Sequence, residues 1–154
     1  MWLLWPVIIV VGLASHRRSG SWSALRFLVT TAAATVVVVN LIKAVVGRGR
    51  PPLEFMMVTV DSASFPSAHS AQAVAVWTAV AVVWWYGSNP GRGARAAMVG
   101  AAGVVGVSVM ASRVYLGAHW LTDVVGGASL GLVLMALCWL FLAPESGDLA
   151  PQRG

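Results

Sequence analysis

His119 and Asp123 lie four residues apart, the spacing that sets two side chains on one face of a helix. A carboxylate in that place can accept the imidazole N–H, fix the tautomer and raise the basicity of the other ring nitrogen. That is the base-and-orienter half of a triad, or an activated nucleophile in its own right. An interhelical polar clamp would use the same two residues. Lys43, Arg50 and Arg113 add three fixed cations. Arginine offers a planar fork matched to phosphate and lysine a compact point charge, although either can also snorkel to a membrane interface. A second histidine, His69, follows Pro66-Ser67-Ala68. Pro66 can sit in the first turn of a helix and leave unpaired N–H groups near Ser67 and Ala68, a setting that binds anions. Taken together, these groups suit acid–base or nucleophilic chemistry on an anion.

The elements that must carry them are apolar runs. Five stand out, at about 2–15, 24–46, 68–86, 94–112 and 119–142. A membrane-crossing helix needs ~20 residues, and the last four stretches meet that length with their polar ends. The first is short, with Pro6 near its start and Trp2 and Trp5 suited to an interface. It lacks the basic lead of a signal peptide and is expected to be a short or truncated span. Turn-forming residues separate the runs: 16–21, Gly47 to Pro66, and 87–93. The polar tail 144–154 is expected to fray. The expected fold is all-α, a polytopic transmembrane bundle of about five spans forming one domain over residues 1–154.

Composition supports a lipid-solvated chain. Of 154 residues, 58% are hydrophobic and only 10% charged, against roughly 25% charged in ordinary soluble domains. So small a domain could not hide that much apolar surface from water, and disorder goes with the opposite composition. The net charge of +5 comes from scattered basic residues without a Lys/Arg block, so no nucleic-acid partner is expected. The single cysteine, Cys138, lies in an apolar run and no zinc-like Cys/His spacing exists. Neither a metal nor a cofactor is expected, and no obligate protein partner is implied.

On an alternating path, Arg17, Arg18, Arg26, Arg92, Arg95 and Arg153 share one face, which the positive-inside rule makes cytoplasmic. Lys43, Arg48, Arg50 and Arg113 fall on the other face, together with His69, His119 and Asp123. Ionisable groups near lipid are expensive, so this one-sided gathering calls for a function. Gly100, Gly103 and Gly106, and the pair Gly127 and Gly131, read as close-packing positions between helices.

In order along the chain, the motifs are Lys43 through Arg50-Pro51, Pro66-Ser67-Ala68-His69, and Ser112-Arg113 through His119 to Asp123. This resembles the three-part signature of the type 2 phosphatidic acid phosphatase superfamily, which also includes vanadium haloperoxidases. The motif region covers 43–123. Two departures stand out: Ala68 replaces the usual glycine, and five spans replace the six common in membrane members. The latter points to a first helix that is absent or shortened.

The resemblance implies a membrane lipid phosphatase that works through a phosphohistidine without a metal. By that resemblance His119 is the nucleophile, Asp123 its orienter, and His69 the acid and then the base. Lys43, Arg50, Ser67, Arg113 and the Ala68 backbone N–H would hold the phosphoryl oxygens. Phosphoryl transfer asks mainly for positioning and charge stabilisation, which three cations can supply. The implied substrate is phosphatidate-like or a polyprenyl diphosphate, taken at the non-cytoplasmic face of a bacterial plasma membrane. The segment Leu53 to Phe65 is expected at the interface beside the lipid entrance. Two alternatives are a non-catalytic headgroup-binding membrane protein and a vanadate-dependent haloperoxidase. Arg48 occupies a variable position of the motif and is set outside the catalytic group.

Overall fold

A computed structural model describes residues 4–58 and 60–143; the tail 144–154 and Trp2 lie outside the described residues. The apolar runs form five helices: α1 (Leu4–Ser19), α2 (Ser23–Val46), α3 (Ala68–Ser88), α4 (Arg92–Tyr115) and α5 (Leu121–Leu142). A single 3₁₀ turn, Leu53–Phe55, interrupts the long α2–α3 connection. Among the described residues the fold is entirely helical, as expected.

The punctuation explains where the helices stop. Gly47 takes the left-handed conformation (φ 58°) and returns its N–H to the Lys43 carbonyl, closing α2. Asn89 (φ 41°) ends α3 in the same way on Trp85. The start of α3 departs from expectation: its N-cap is Ser67, whose Oγ accepts the Ser70 N–H, and Pro66 stands outside the helix. Ser67 provides the acceptor that a proline in the first turn would lack.

α2, α4 and α5 are long and apolar enough to cross a membrane. The fourth expected span, α3, has the length but begins with His69, Ser70 and Gln72, which dilute its apolar character. Its place accounts for this, because α3 packs against all four other helices. Gln72 can therefore be buried, its Nε2 donating to the Ala32 carbonyl of α2 at 2.8 Å. Toward the other end, Val76, Ala79 and Val83 of α3 meet Ile8 of α1 and Phe27 and Leu28 of α2.

α5 runs parallel to α3 and touches its backbone. A Cβ on Gly127 would come within 2.5 Å of the Ser67 carbonyl oxygen, and one on Gly131 within 2.4 Å of that of Ala71. This is close small-residue packing, used where burial of apolar surface gives no driving force in lipid. Gly106 meets Val74 of α3, but Gly100 and Gly103 have no atom near a would-be Cβ. A three-residue repeat drifts around a helix of 3.6 residues per turn, so the three glycines do not share one contact face. Gly131→Ala is therefore expected to cost about 1–3 kcal/mol through overpacking, while Gly103→Ala costs nothing measurable. Thermal unfolding in detergent checks this, with a lowered midpoint for the first variant alone.

Candidate active site

The C-terminal ends of α2 and α4 and the N-terminal ends of α3 and α5 meet at one end of the bundle. The loop after α2 ties them together. The Arg48 carbonyl accepts the Ser64 N–H at 2.8 Å, and the Met57 N–H reaches the Leu116 carbonyl at 3.0 Å. Gly117 makes this closure possible. It sits at φ 66°, and a Cβ there would fall 1.9 Å from the Phe55 carbonyl oxygen.

Asp123 is the hub. It is fully buried in the first turn of α5, where the helix dipole favours negative charge. Oδ2 accepts the Trp120 N–H at 2.9 Å and the Ser64 hydroxyl. Oδ1 accepts Arg48 Nη1 at 2.8 Å in an ion pair. The Asp123 carbonyl accepts the Ser67 N–H at 3.0 Å, which joins the second and third motifs.

His119 does not lie on α5 as its spacing suggests. It precedes the N-cap and approaches Asp123 from the connection, with Nδ1 3.5 Å from Oδ2. The contact lies at the outer limit of hydrogen-bond length, so it orients the ring while holding it weakly. On the ring's other side, Nε2 lies 3.3 Å from Arg50 Nη1. A guanidinium can only donate, so Nε2 is the acceptor and the ring proton belongs on Nδ1, facing Asp123. Burial, then Arg50 and Lys43, push the His119 pKa down to about 4 against the pull of Asp123. The ring is therefore neutral at pH 7, with its Nε2 lone pair turned toward the cations. Burial also lowers Arg50, with Asp123 pulling the other way.

Four of the expected residues, Lys43, Arg50, His119 and Asp123, are thus one cluster. Lys43 donates to the Ala63 carbonyl, and Arg50 to the Ala118 and Ser62 carbonyls and the Ser62 hydroxyl. These bonds aim both cations while leaving their charge uncancelled. His69 lies within the field of Arg113, Arg50 and Lys43. Arg113 donates Nε to the Ser112 hydroxyl at 3.3 Å, and among the described residues it pairs with no carboxylate. Ser67 Oγ accepts from the Ser70 hydroxyl at 3.0 Å, which leaves its own proton free to donate. With the Ser67 and Ser70 N–H groups engaged, those of Ala68 and His69 are the orphan donors of the first turn of α3. Ala68 is helical with negative φ, so its methyl group costs no strain where the family has glycine.

Two residues come to the site that sequence reasoning left out. Arg48, set aside as variable, is the ion partner of Asp123 and also donates to Thr122 Oγ1 at 2.7 Å. Ser64, one residue before Phe65-Pro66, gave no signal of its own.

Apolar hollows lead away from the cluster. The one beside His119 is lined by Phe55, Val114 and Leu121. Val114 and Leu121 also line a second, between α4 and α5, which reaches Val107. Val107 borders a third, of about 430 Å³, that follows Gly106, Gly103 and Leu132 down to Trp85.

The family model described as the PAP2 superfamily matches residues 23–146. Phosphatidylglycerophosphatase B of Bacillus subtilis (strain 168) is 36% identical over 135 residues, covering 87% of this chain. The chain spans 65% of that relative's length. A solved structure, described as the first transmembrane PAP2 type phosphatidylglycerolphosphate phosphatase from Bacillus subtilis, superposes with a TM-score of 0.85 at 31% identity. That match covers 92% of this chain and 69% of the other.

Proposed function

This chain belongs to the PAP2 superfamily, and from that premise we propose that it is a membrane lipid phosphatase working through a phosphohistidine. The observation that carries this reading is the His119 ring, neutral and held between the Asp123 carboxylate and the Arg50 guanidinium. In the first step the Nε2 lone pair attacks phosphorus as the bond to the leaving oxygen breaks, and His69, protonated together with the binding of the anionic substrate, donates the proton that this oxygen needs. Arg50 gives up Nε2 as acceptor and takes a phosphoryl oxygen in its place, beside Lys43 and Arg113. Asp123 offsets the positive charge that develops on the ring. In the second step His69, now a base, takes a proton from water. The water oxygen attacks phosphorus, the P–N bond breaks, and phosphate leaves with His119 restored.

The linked hollows favour a lipid. A headgroup at His119 would have its chain along Val114, Val107 and Gly103, between helices apolar enough to cross the bilayer. The α2–α3 connection exposes Leu53, Phe55 and Met57, which suits a segment lying in the interface at the lipid entrance. Arg92 and Arg95 stand at the opposite end, which by the positive-inside rule favours a site on the non-cytoplasmic face; the membrane of this reading is a bacterial plasma membrane.

The substrate class is a phosphomonoester or diphosphate of a lipid. The test is phosphate release in detergent with excess chelator from phosphatidate, phosphatidylglycerol phosphate and undecaprenyl diphosphate. Release from at least one is expected, and tight binding without turnover of any would favour a headgroup-binding protein instead. His69→Ala is expected to slow release about 10²–10⁴-fold, the usual worth of general acid–base catalysis. Substrates with better leaving groups should recover most of the loss in the first step, because they need no proton.

A further inference from the structure

Arg48 and Ser64 hold the Asp123 carboxylate from two sides, and neither takes part in the two phosphoryl-transfer steps. We propose that they are positioning residues, which fix the plane of the carboxylate and share its charge so that it orients His119 without drawing a proton onto the ring. The inference rests on reading His119 as the nucleophile.

The geometry forms a closed circuit. The Arg48 carbonyl accepts the Ser64 N–H at 2.8 Å, the Ser64 hydroxyl donates to Oδ2, and Arg48 Nη1 returns to Oδ1 at 2.8 Å. Arg48 is itself fixed by Thr122 Oγ1 at 2.7 Å and by the Trp120 ring, whose centroid is 6.0 Å from its guanidinium carbon. Trp120 in turn donates Nε1–H to the Gly49 carbonyl at 3.2 Å. A carboxylate offers about four lone-pair sites, and Arg48, Ser64 and the Trp120 N–H take three of them. What remains for His119 is a 3.5 Å contact at the outer limit of hydrogen-bond length, close enough to orient the ring.

The charges around the ring show why this division matters. Lys43 on α2 and Arg50 in the following loop face His119, and Asp123 on α5 is the one anion among them. A carboxylate freed from Arg48 or Ser64 would turn its charge and its vacant lone pair to Nδ1. The imidazolium would gain, and the nucleophilic lone pair would be lost at moderately acid pH.

The experiment follows the His119 ring by ¹⁵N-detected titration of histidine-labelled protein in detergent micelles, for wild type, Arg48→Gln, Arg48→Lys and Ser64→Ala. Steady-state kinetics on the best lipid phosphate accompany it. The wild-type ring is expected to titrate at about 4. In Arg48→Gln and Ser64→Ala it should move up toward the ordinary value of about 6.5. In both, kcat should fall about 10- to 100-fold, the scale of a lost charge-assisted hydrogen bond, with KM little changed. Arg48→Lys keeps the charge and should recover most of both effects. A His119 titration unmoved in both variants would overturn the proposal. So would an Arg48→Gln enzyme with raised KM and intact kcat, which would make Arg48 a substrate-binding cation. The two sites are independent probes, so either variant decides if the other does not fold. A wild type inactive on every lipid would defeat the proposed activity, while the titration would still report on the clamp.

Discussion

Replacing His119 with alanine is expected to lower phosphate release by at least about 10⁴-fold, the scale on which hydrolases lose activity with their nucleophile. The size follows from what the ring supplies. The imidazole touches both the Arg50 fork and the Asp123 carboxylate. With the imidazole gone, Lys43, Arg50 and Arg113 still gather around a phosphoryl group, so binding survives and turnover does not. Stability should change little, because the ring lines a hollow that water can fill and Arg50 keeps its bonds to the Ala118 and Ser62 carbonyls. An inactive variant with a wild-type unfolding midpoint and retained inhibition by lipid phosphate is the expected result, measured by phosphate release and thermal unfolding in detergent.

Asp123→Asn is expected to behave differently, losing about 10³–10⁴ in kcat and stability as well. The carboxylate accepts on both oxygens, from Arg48 on one side and from Ser64 and the Trp120 N–H on the other. An amide presents N–H₂ to one of those sides, so a donor is opposed by a donor in a buried place. Leaving a buried partner unsatisfied costs about 1–3 kcal/mol, and half-exposed Arg48 keeps the loss within that range. His119 also loses the charge that stabilises the developing imidazolium. Its pKa should fall below about 4, since Asp123 is the group that raises it. A lowered unfolding midpoint together with the kinetic loss separates this variant from His119→Ala.

Much of this site was legible in the chain because its chemistry resides in residue types and spacings. Lys43, Arg50, His119 and Asp123 converge, and the five apolar runs become five helices within a few residues of their expected bounds. Other features depended on tertiary contacts that spacing cannot reveal. His119 and Asp123 share no helical face, because the helix begins at Leu121 and Asp123 caps it. Arg48 reaches Asp123 only because the α2–α3 connection folds back and pairs its carbonyl with Ser64. The central place of α3 was similarly hidden, although Gln72 and Ser70 near its start were a hint that it avoids lipid. Gly117 was the most readable missed signal: a glycine two residues before the histidine marks a tight turn, here one that only a residue without Cβ can make.

The central claim is that phosphorus passes through a covalent bond to His119 Nε2. Rapid quenching of a reaction with phosphoryl-labelled lipid tests it most directly, followed by mapping of label that is stable to base and labile to acid. His69→Ala with a good leaving group is the protein to use, since the first step then needs no acid while the second lacks its base. The predicted result is stoichiometric label on the peptide carrying His119, formed within the first turnover and absent from the His119→Ala/His69→Ala double variant. Turnover with no labelled enzyme at any time, or label on a different residue, would contradict the account.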